Sequence, residues 1–245
     1  LGSNPTRDMG ASVWGNLLGE KLQYRLDIME GRQAATGDAT HAASPRSSFR
    51  YTGRLHVSLL DPENGYGYRG TYMGQKKVLT LGVAVQGEPN AVYSDWRAKT
   101  GEKDYSAWTV DAFYEQPFKD VGTVTLSGAY VKYKLGHAYL GANPEPMSYG
   151  IQGERNGWYA KAGYMLPSMP LQFFGRHEQW RFAQLNGIYN QKLNWTGIGA
   201  NYYIWGQDLK LTVEYSATRF DKQATVDGVR TKDLKTLIAQ VQLIF

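Results

Sequence analysis

Six basic residues, Arg25, Arg50, Arg54, Lys161, Arg176 and Lys210, fall where an extended chain would point their side chains to one common face. Arg50, Arg54 and His56 share that face within a single alternating run. A stepped row of such cations can hand an oxyanion along by charge-assisted hydrogen bonds, so the chemistry on offer is reversible capture of anions. The same face carries Asp27, Asp111, Glu115, Glu178 and Glu214, so six positive charges meet five negative ones and the face is nearly neutral. Inward Arg and Glu on neighbouring strands can equally pair and stiffen a wall, which is the reading for Arg176 with Glu178. Covalent catalysis finds no support. The chain has no Cys, and His41, His56 and His137 form no set with a Ser. His177 has the parity that a hydrolase site on the outside of a barrel would need, but no Ser stands beside it. His41 and His137 lack the i, i+4 spacing and carboxylate partners of a metal site. The Gly-rich run Gly136–Gly153 leads from no strand into a helix, so it is no nucleotide cradle. No catalytic residue, cofactor or metal is predicted.

The elements that must carry these residues are strands. Of 245 residues 13% are aromatic and 28 are Gly, and alternation of apolar and polar positions returns roughly every 22 residues from one end to the other. Eleven strands are predicted: Asp8–Leu17, Lys21–Met29, Phe49–Leu60, Lys77–Gln86, Trp108–Phe118, Thr123–Lys134, Trp158–Leu166, Leu171–Arg181, Asn194–Ile204, Lys210–Ser216 and Leu237–Phe245. None holds a period of 3.6 residues. Connections alternate between short (Leu18–Glu20, Gln116–Gly122, Pro167–Pro170, Gly206–Asp208) and long (Glu30–Ser48, Gly87–Tyr105, Gly136–Gly157, Ala183–Gln191, Thr218–Asp233). Asp61–Gln75 is intermediate in length, and its position in the alternation places it in the short set. Short turns on one side and long loops on the other mark an outer-membrane β-barrel, whereas a soluble sandwich mixes loop lengths at both ends.

Charge decides which parity faces lipid. Arg or Lys at the bilayer midplane of such a barrel costs about 2–4 kcal/mol, falling toward zero at the interfaces. The parity of Leu22, Tyr24, Leu26 and Ile28 is free of charge, as is that of Leu79, Leu81, Val83 and Val85. Lys132 and Lys235 fall on the apolar parity only at strand ends on the long-loop side, where a Lys can snorkel to headgroups. Polar-in and apolar-out describes a water-filled pore. Phe118, Leu166, Trp205 and Phe245 gather at the short-turn ends, and Trp108, Trp158 and Trp180 toward the long-loop ends, as two interfacial girdles. No run reaches the ~18 consecutive apolar residues of a spanning helix. The net charge of +5 is dispersed, which argues against a nucleic-acid partner.

Several segments resemble a known family. They are Asn4 to Gly10 (NPTRDMG), Gly19 to Asp27 (GEKLQYRLD), Phe49 to Arg54 (FRYTGR), Tyr72 to Gly82 (YMGQKKVLTLG) and Thr196 to Tyr203 (TGIGANYY), with a terminal strand Val241 to Phe245 that ends in an aromatic residue. Together they are similar to the phosphate-selective porin O/P family of outer-membrane porins across nearly the whole chain, most closely in the strands. The resemblance implies a transmembrane antiparallel up-and-down barrel of about sixteen strands, assembled as a homotrimer, that passes phosphate and related anions through an arginine-lined channel to a lysine site. Arg25, Arg50, Arg54, Lys161, Arg176 and Lys210 are the residues onto which that basic lining can be carried.

The sequence reading is therefore all-β, a single outer-membrane barrel domain over 1–245. Its expected function is passive diffusion of small anionic solutes, its expected partners outer-membrane lipid and lipopolysaccharide, and an infolded long loop would set the size cutoff. A barrel acting as sheath or docking partner for a periplasmic electron carrier or an exported chain is the alternative, and a soluble glycan-binding β protein is a third. Eleven strands is an odd number, and an open sheet leaves two unpaired edges in lipid. The expectation is thus that these are the C-terminal two-thirds of a barrel, with five further strands, about 110 residues, preceding them.

Overall fold

The computed structural model describes residues 9–31, 45, 49–67, 69–226 and 228–244. Eleven strands are present: β1 (Gly10–Leu17), β2 (Leu22–Met29), β3 (Arg50–Ser58), β4 (Val78–Asp95), β5 (Thr100–Phe118), β6 (Gly122–Lys134), β7 (Arg155–Met165), β8 (Leu171–Leu185), β9 (Ile188–Trp205), β10 (Leu209–Val226) and β11 (Val229–Leu243). They form one sheet in chain order, each strand antiparallel to the next. The only helical segments among the described residues are three single 3₁₀ turns, Ala138–Leu140, Pro146–Ser148 and Gly150–Gln152. The architecture is all-β and up-and-down. Among the described residues β1 and β11 do not pair with one another, so the sheet is open at both edges. Asn4 to Asp8, His41 and Phe245 lie outside the described residues.

Burial is inverted relative to a protein with an oily core. Leu237 (73%), Ile198 (64%), Leu26 (57%) and Val85 (57%) expose their side chains, while Glu115 (0%), His56 (1%) and Gln23 (1%) are sealed. Contiguous exposed apolar surface on this scale marks a face that meets a membrane or a protein partner. The alternation sorts the two faces as the sequence predicts, with one exception among the tryptophans expected in the long-loop girdle. Trp180 lies on the polar face: its indole N–H donates to Glu178 at 3.1 Å, and the Arg155 guanidinium stands over its ring. Trp108 and Trp158 do face outward, Trp108 packing on Tyr130 at 5.1 Å and Trp158 on His177 at 5.4 Å.

Three of the predicted long loops are instead continuations of hairpins. Strands β4 and β5 pair on to Asp95 and Thr100, β8 and β9 to Leu185 and Ile188, and β10 and β11 to Val226 and Val229. The β8–β9 turn has Asn186 and Gly187 at φ 49° and 79°, both left-handed, which matches the twist of the flanking strands. The β6–β7 connection packs its first 3₁₀ turn against the β4 extension, where Ala91, Val92, Leu135 and Ala138 form a small apolar cluster. The Glu154 carboxylate accepts from the backbone N–H of Leu135 and His137 and holds the start of that connection.

The link between β3 and β4 departs most from a simple turn. Its Tyr66 ring packs edge-on against Trp14 of β1, Gln23 donates to the Gly65 carbonyl, and Gln207 of the β9–β10 turn donates to the Thr71 carbonyl at 2.8 Å. Strands sit about 4.8 Å apart, so the five steps from β4 to β9 would span about 24 Å of flat sheet. One link touching β1, β2 and the β9–β10 turn requires the sheet to curl around it. The polar face is the concave one, and the link crosses it at the short-turn end.

Candidate functional site

The concave wall is built from ion pairs that reach across strands. Arg54 of β3 makes a two-pronged contact with Asp111 of β5, Nη1 to Oδ2 at 2.6 Å and Nη2 to Oδ1 at 2.8 Å, over the intervening β4. The residue of β4 beneath that contact is Gly82, where a Cβ would lie 2.5 Å from Arg54 Nη2 and 2.6 Å from Asp111 Oδ1. The same device recurs on the other side of the wall. Arg176 of β8 reaches Glu214 of β10 at 2.9 Å over β9, where a Cβ on Gly197 would collide with Glu214 Oε1. Arg176 also lies 3.5 Å from Glu178 and stacks 4.1 Å from the Trp195 ring centre. Arg50 pairs with Glu88 at 2.7 Å, and Glu88 is buried. Parallel guanidinium–carboxylate forks of this kind carry geometric specificity along with charge neutralisation.

The six predicted basic residues are therefore not equivalent. Arg50, Arg54 and Arg176 are held by carboxylates, and Arg25 donates twice to Gln23 Oε1 while its guanidinium lies 4.4 Å over Tyr66. Lys161 and Lys210 make no ion pair with any described residue. Lys161 sits 4.6 Å over the Phe174 ring, in register with Arg176 on β8 and Ser127 on β6. A hollow of about 590 Å³ opens in front of it, lined by Arg54, Arg69, Asp111, Thr109 and Tyr159. An oxyanion entering it meets two fields. At about 4 Å and an effective dielectric near 20, opposite unit charges attract by about 4 kcal/mol, so the Arg54–Asp111 pair largely satisfies itself. The lone ammonium of Lys161 presents an uncancelled charge.

The β3–β4 link supplies Arg69 to this hollow and is itself clasped by the wall. Glu115, fully buried on β5, accepts from the Thr71 hydroxyl at 2.6 Å, the Tyr72 backbone N–H at 2.9 Å and the Gly74 backbone N–H at 2.9 Å. The Tyr72 hydroxyl donates to Glu63 at 2.8 Å, and burial followed by this bond to Glu63 pushes the phenol above its ordinary pKa. His56 Nε2 lies 3.2 Å from the Glu63 carbonyl, so this inward His serves to hold the link and does not extend the Arg50–Arg54 row. The sequence reading expects a long loop to fold inward; the segment that does so is instead this link from the short-turn side. The longer β6–β7 connection packs on the β4 extension instead.

Sequence reasoning did not single out Arg69, Glu88 or Arg155, nor the spacing glycines Gly82 and Gly197. Glu88 lay beyond the predicted end of its strand, and Arg155 before the predicted start of its own. A glycine on the charged parity of a strand flanked by two charged strands is the signal that could have found the bridged pairs. On the convex face, His177 Nδ1 lies 2.7 Å from Thr196 Oγ1, so a hydroxyl does stand beside it, though not that of a Ser. Among the described residues no cluster of His, Asp and Glu can hold a metal ion. No protein-family model matches the chain, and a search of curated proteins returns no match.

Proposed function

We propose that this chain forms the wall of a water-filled outer-membrane channel through which small anionic solutes diffuse passively. The observation that carries the reading is the pairing of an exposed apolar convex face with a charged concave face that lines a hollow of about 590 Å³. Such a sheet is stable where hydrocarbon lies outside and water inside. Anion preference rests on Lys161 and Lys210, the inward cations of the predicted set without an ion-pair partner among the described residues, supported by Arg69 from the link. The resemblance of the strands to phosphate-selective porins makes phosphate the first solute to test. The link crossing the mouth favours small solutes over a sheath for a folded carrier, because a guest of protein size would have to displace a segment bonded to Glu115 and Gln207.

Planar-bilayer recording tests this directly. Stepwise conductance with reversal potentials favouring the anion is expected in phosphate, chloride and sulfate. A membrane that stays silent would reject the channel, and a cation-favouring reversal potential would reject the anion preference while leaving the pore.

A further inference from the structure

The convex face carries a feature that solute passage does not use. Lys132 on β6, Asn156 on β7, Arg181 on β8 and Lys192 on β9 are successive cross-strand partners, so their side chains stand side by side on the outward parity. With strands about 4.8 Å apart, Lys132 and Arg181 are separated by about 10 Å and Arg181 and Lys192 by about 5 Å. None of the three cations makes an ion pair with a described residue. The one carboxylate at the end of the row is Asp221 of β10, which accepts from the Lys192 backbone N–H at 2.9 Å. A fourth cation, Lys134, stands two residues further out on β6 on the same parity, while Arg219 and Asp233 are bonded to each other at 3.0 Å.

Height along the wall gives the row its meaning. Lys132 and Arg181 stand roughly ten residues into their strands, about the length of strand that crosses a hydrocarbon core. Two residues nearer the hydrocarbon, Tyr130 and Trp158 are register partners, with Trp108 packed on Tyr130. Aromatic rings then cations is the order of a membrane interface, rings at the headgroup boundary and basic groups at the phosphates. Lys192, counted from the short-turn end of β9, stands about three residues further out, and cations at and just above the girdle are not needed to anchor a barrel that already has its aromatic rings.

We propose that Lys132, Arg181 and Lys192 form a binding site for the phosphate groups of lipopolysaccharide in the outer leaflet, with Asn156 offering its amide between them. The proposal rests on the membrane reading above, because it takes the convex face to be the lipid-facing one. Charge complementarity selects this occupant over a zwitterionic phospholipid, and the girdle beneath it selects a lipid over free phosphate.

The test is retention of lipid A by the detergent-purified protein in phosphatidylcholine nanodiscs doped with lipid A, read by native mass spectrometry. Each charge removed is expected to weaken retention about fivefold, so the combined Lys132→Gln, Arg181→Gln, Lys192→Gln variant should lose most of it. Arg181→Lys should retain it, as should Arg97→Gln in the distant β4–β5 turn. Dephosphorylated lipid A should bind the wild type no better than it binds the triple variant. Unchanged retention by the triple variant would overturn the proposal, and so would displacement of lipid A by millimolar inorganic phosphate. Bilayer conductance of the triple variant should equal that of the wild type, so a failed channel reading appears in a different measurement. Recovery of the chain from cells without detergent would sink both.

Discussion

Lys161 and Arg54 line the same hollow and differ in one respect, the company each keeps. Replacing Lys161 or Lys210 by Gln removes an uncancelled charge, and a unit charge about 4 Å from a solute is worth about 1 kcal/mol in water, so anion-over-cation permeability should fall by about fivefold in dilute salt. The loss should shrink in molar salt, where the screening length contracts from about 10 Å to about 3 Å. Arg54→Gln acts differently: it strips Asp111 of its partner and leaves a bare carboxylate, so selectivity should move toward cations further than loss of Arg54 alone would carry it. Reversal potentials of the three variants check the order. At this scale the sequence disclosed which residues face inward, since parity is local. It could not disclose who is paired, because Arg54 and Asp111 lie on strands that are not adjacent.

At the scale of elements, Gly82 and Gly197 are spacers that let an ion pair lie across the strand between its partners. Gly82→Val fills the space beneath the Arg54–Asp111 fork, and by the usual cost of overpacking it should destabilise the sheet by about 1–3 kcal/mol, seen as a lower urea midpoint. Ala84, two residues on along the same face, should tolerate Ser. The β3–β4 link makes a second prediction. Glu115→Ala removes the acceptor shared by Thr71, Tyr72 and Gly74, so the Tyr72 and Gly74 amides should exchange with solvent far faster than in the wild type, and single-channel conductance should rise. Unchanged conductance beside accelerated exchange would mean that the link does not narrow the path. Strand extensions were hard to read for a physical reason: past the regular wall burial follows local packing, as at Ala91 and Val92 of β4, so alternation fades while the backbone ladder continues. Asn186-Gly187 was nonetheless a legible turn signal inside the predicted Ala183–Gln191 loop.

For the whole molecule, the class of fold was readable almost entirely from period and connection length, because every strand repeats one pattern. Each of the eleven predicted strands has its counterpart, and they pair in chain order. Closure was not readable, since it depends on what lies beside β1 and β11 and not on any motif within them. An edge strand in hydrocarbon leaves backbone groups unsatisfied at several kcal/mol each, so the membrane reading requires both edges to be covered. The protein should therefore remain in the membrane pellet through salt and alkaline washes and enter solution only with detergent. Release by high salt would place the convex face against a protein partner and not against lipid.

The link that crosses the concave face has its wall contacts at one end of the hollow only. It brings Arg69 and the half-buried Glu63–Tyr72 pair to the short-turn end, while at the other end of the wall the β4–β5 and β8–β9 hairpins extend far past the hollow. On the channel reading, a path with a charged segment bound at one end only does not look the same to an ion arriving from either direction. Its current should bend with the sign of the applied voltage, and cutting the link back to a short turn should straighten the curve.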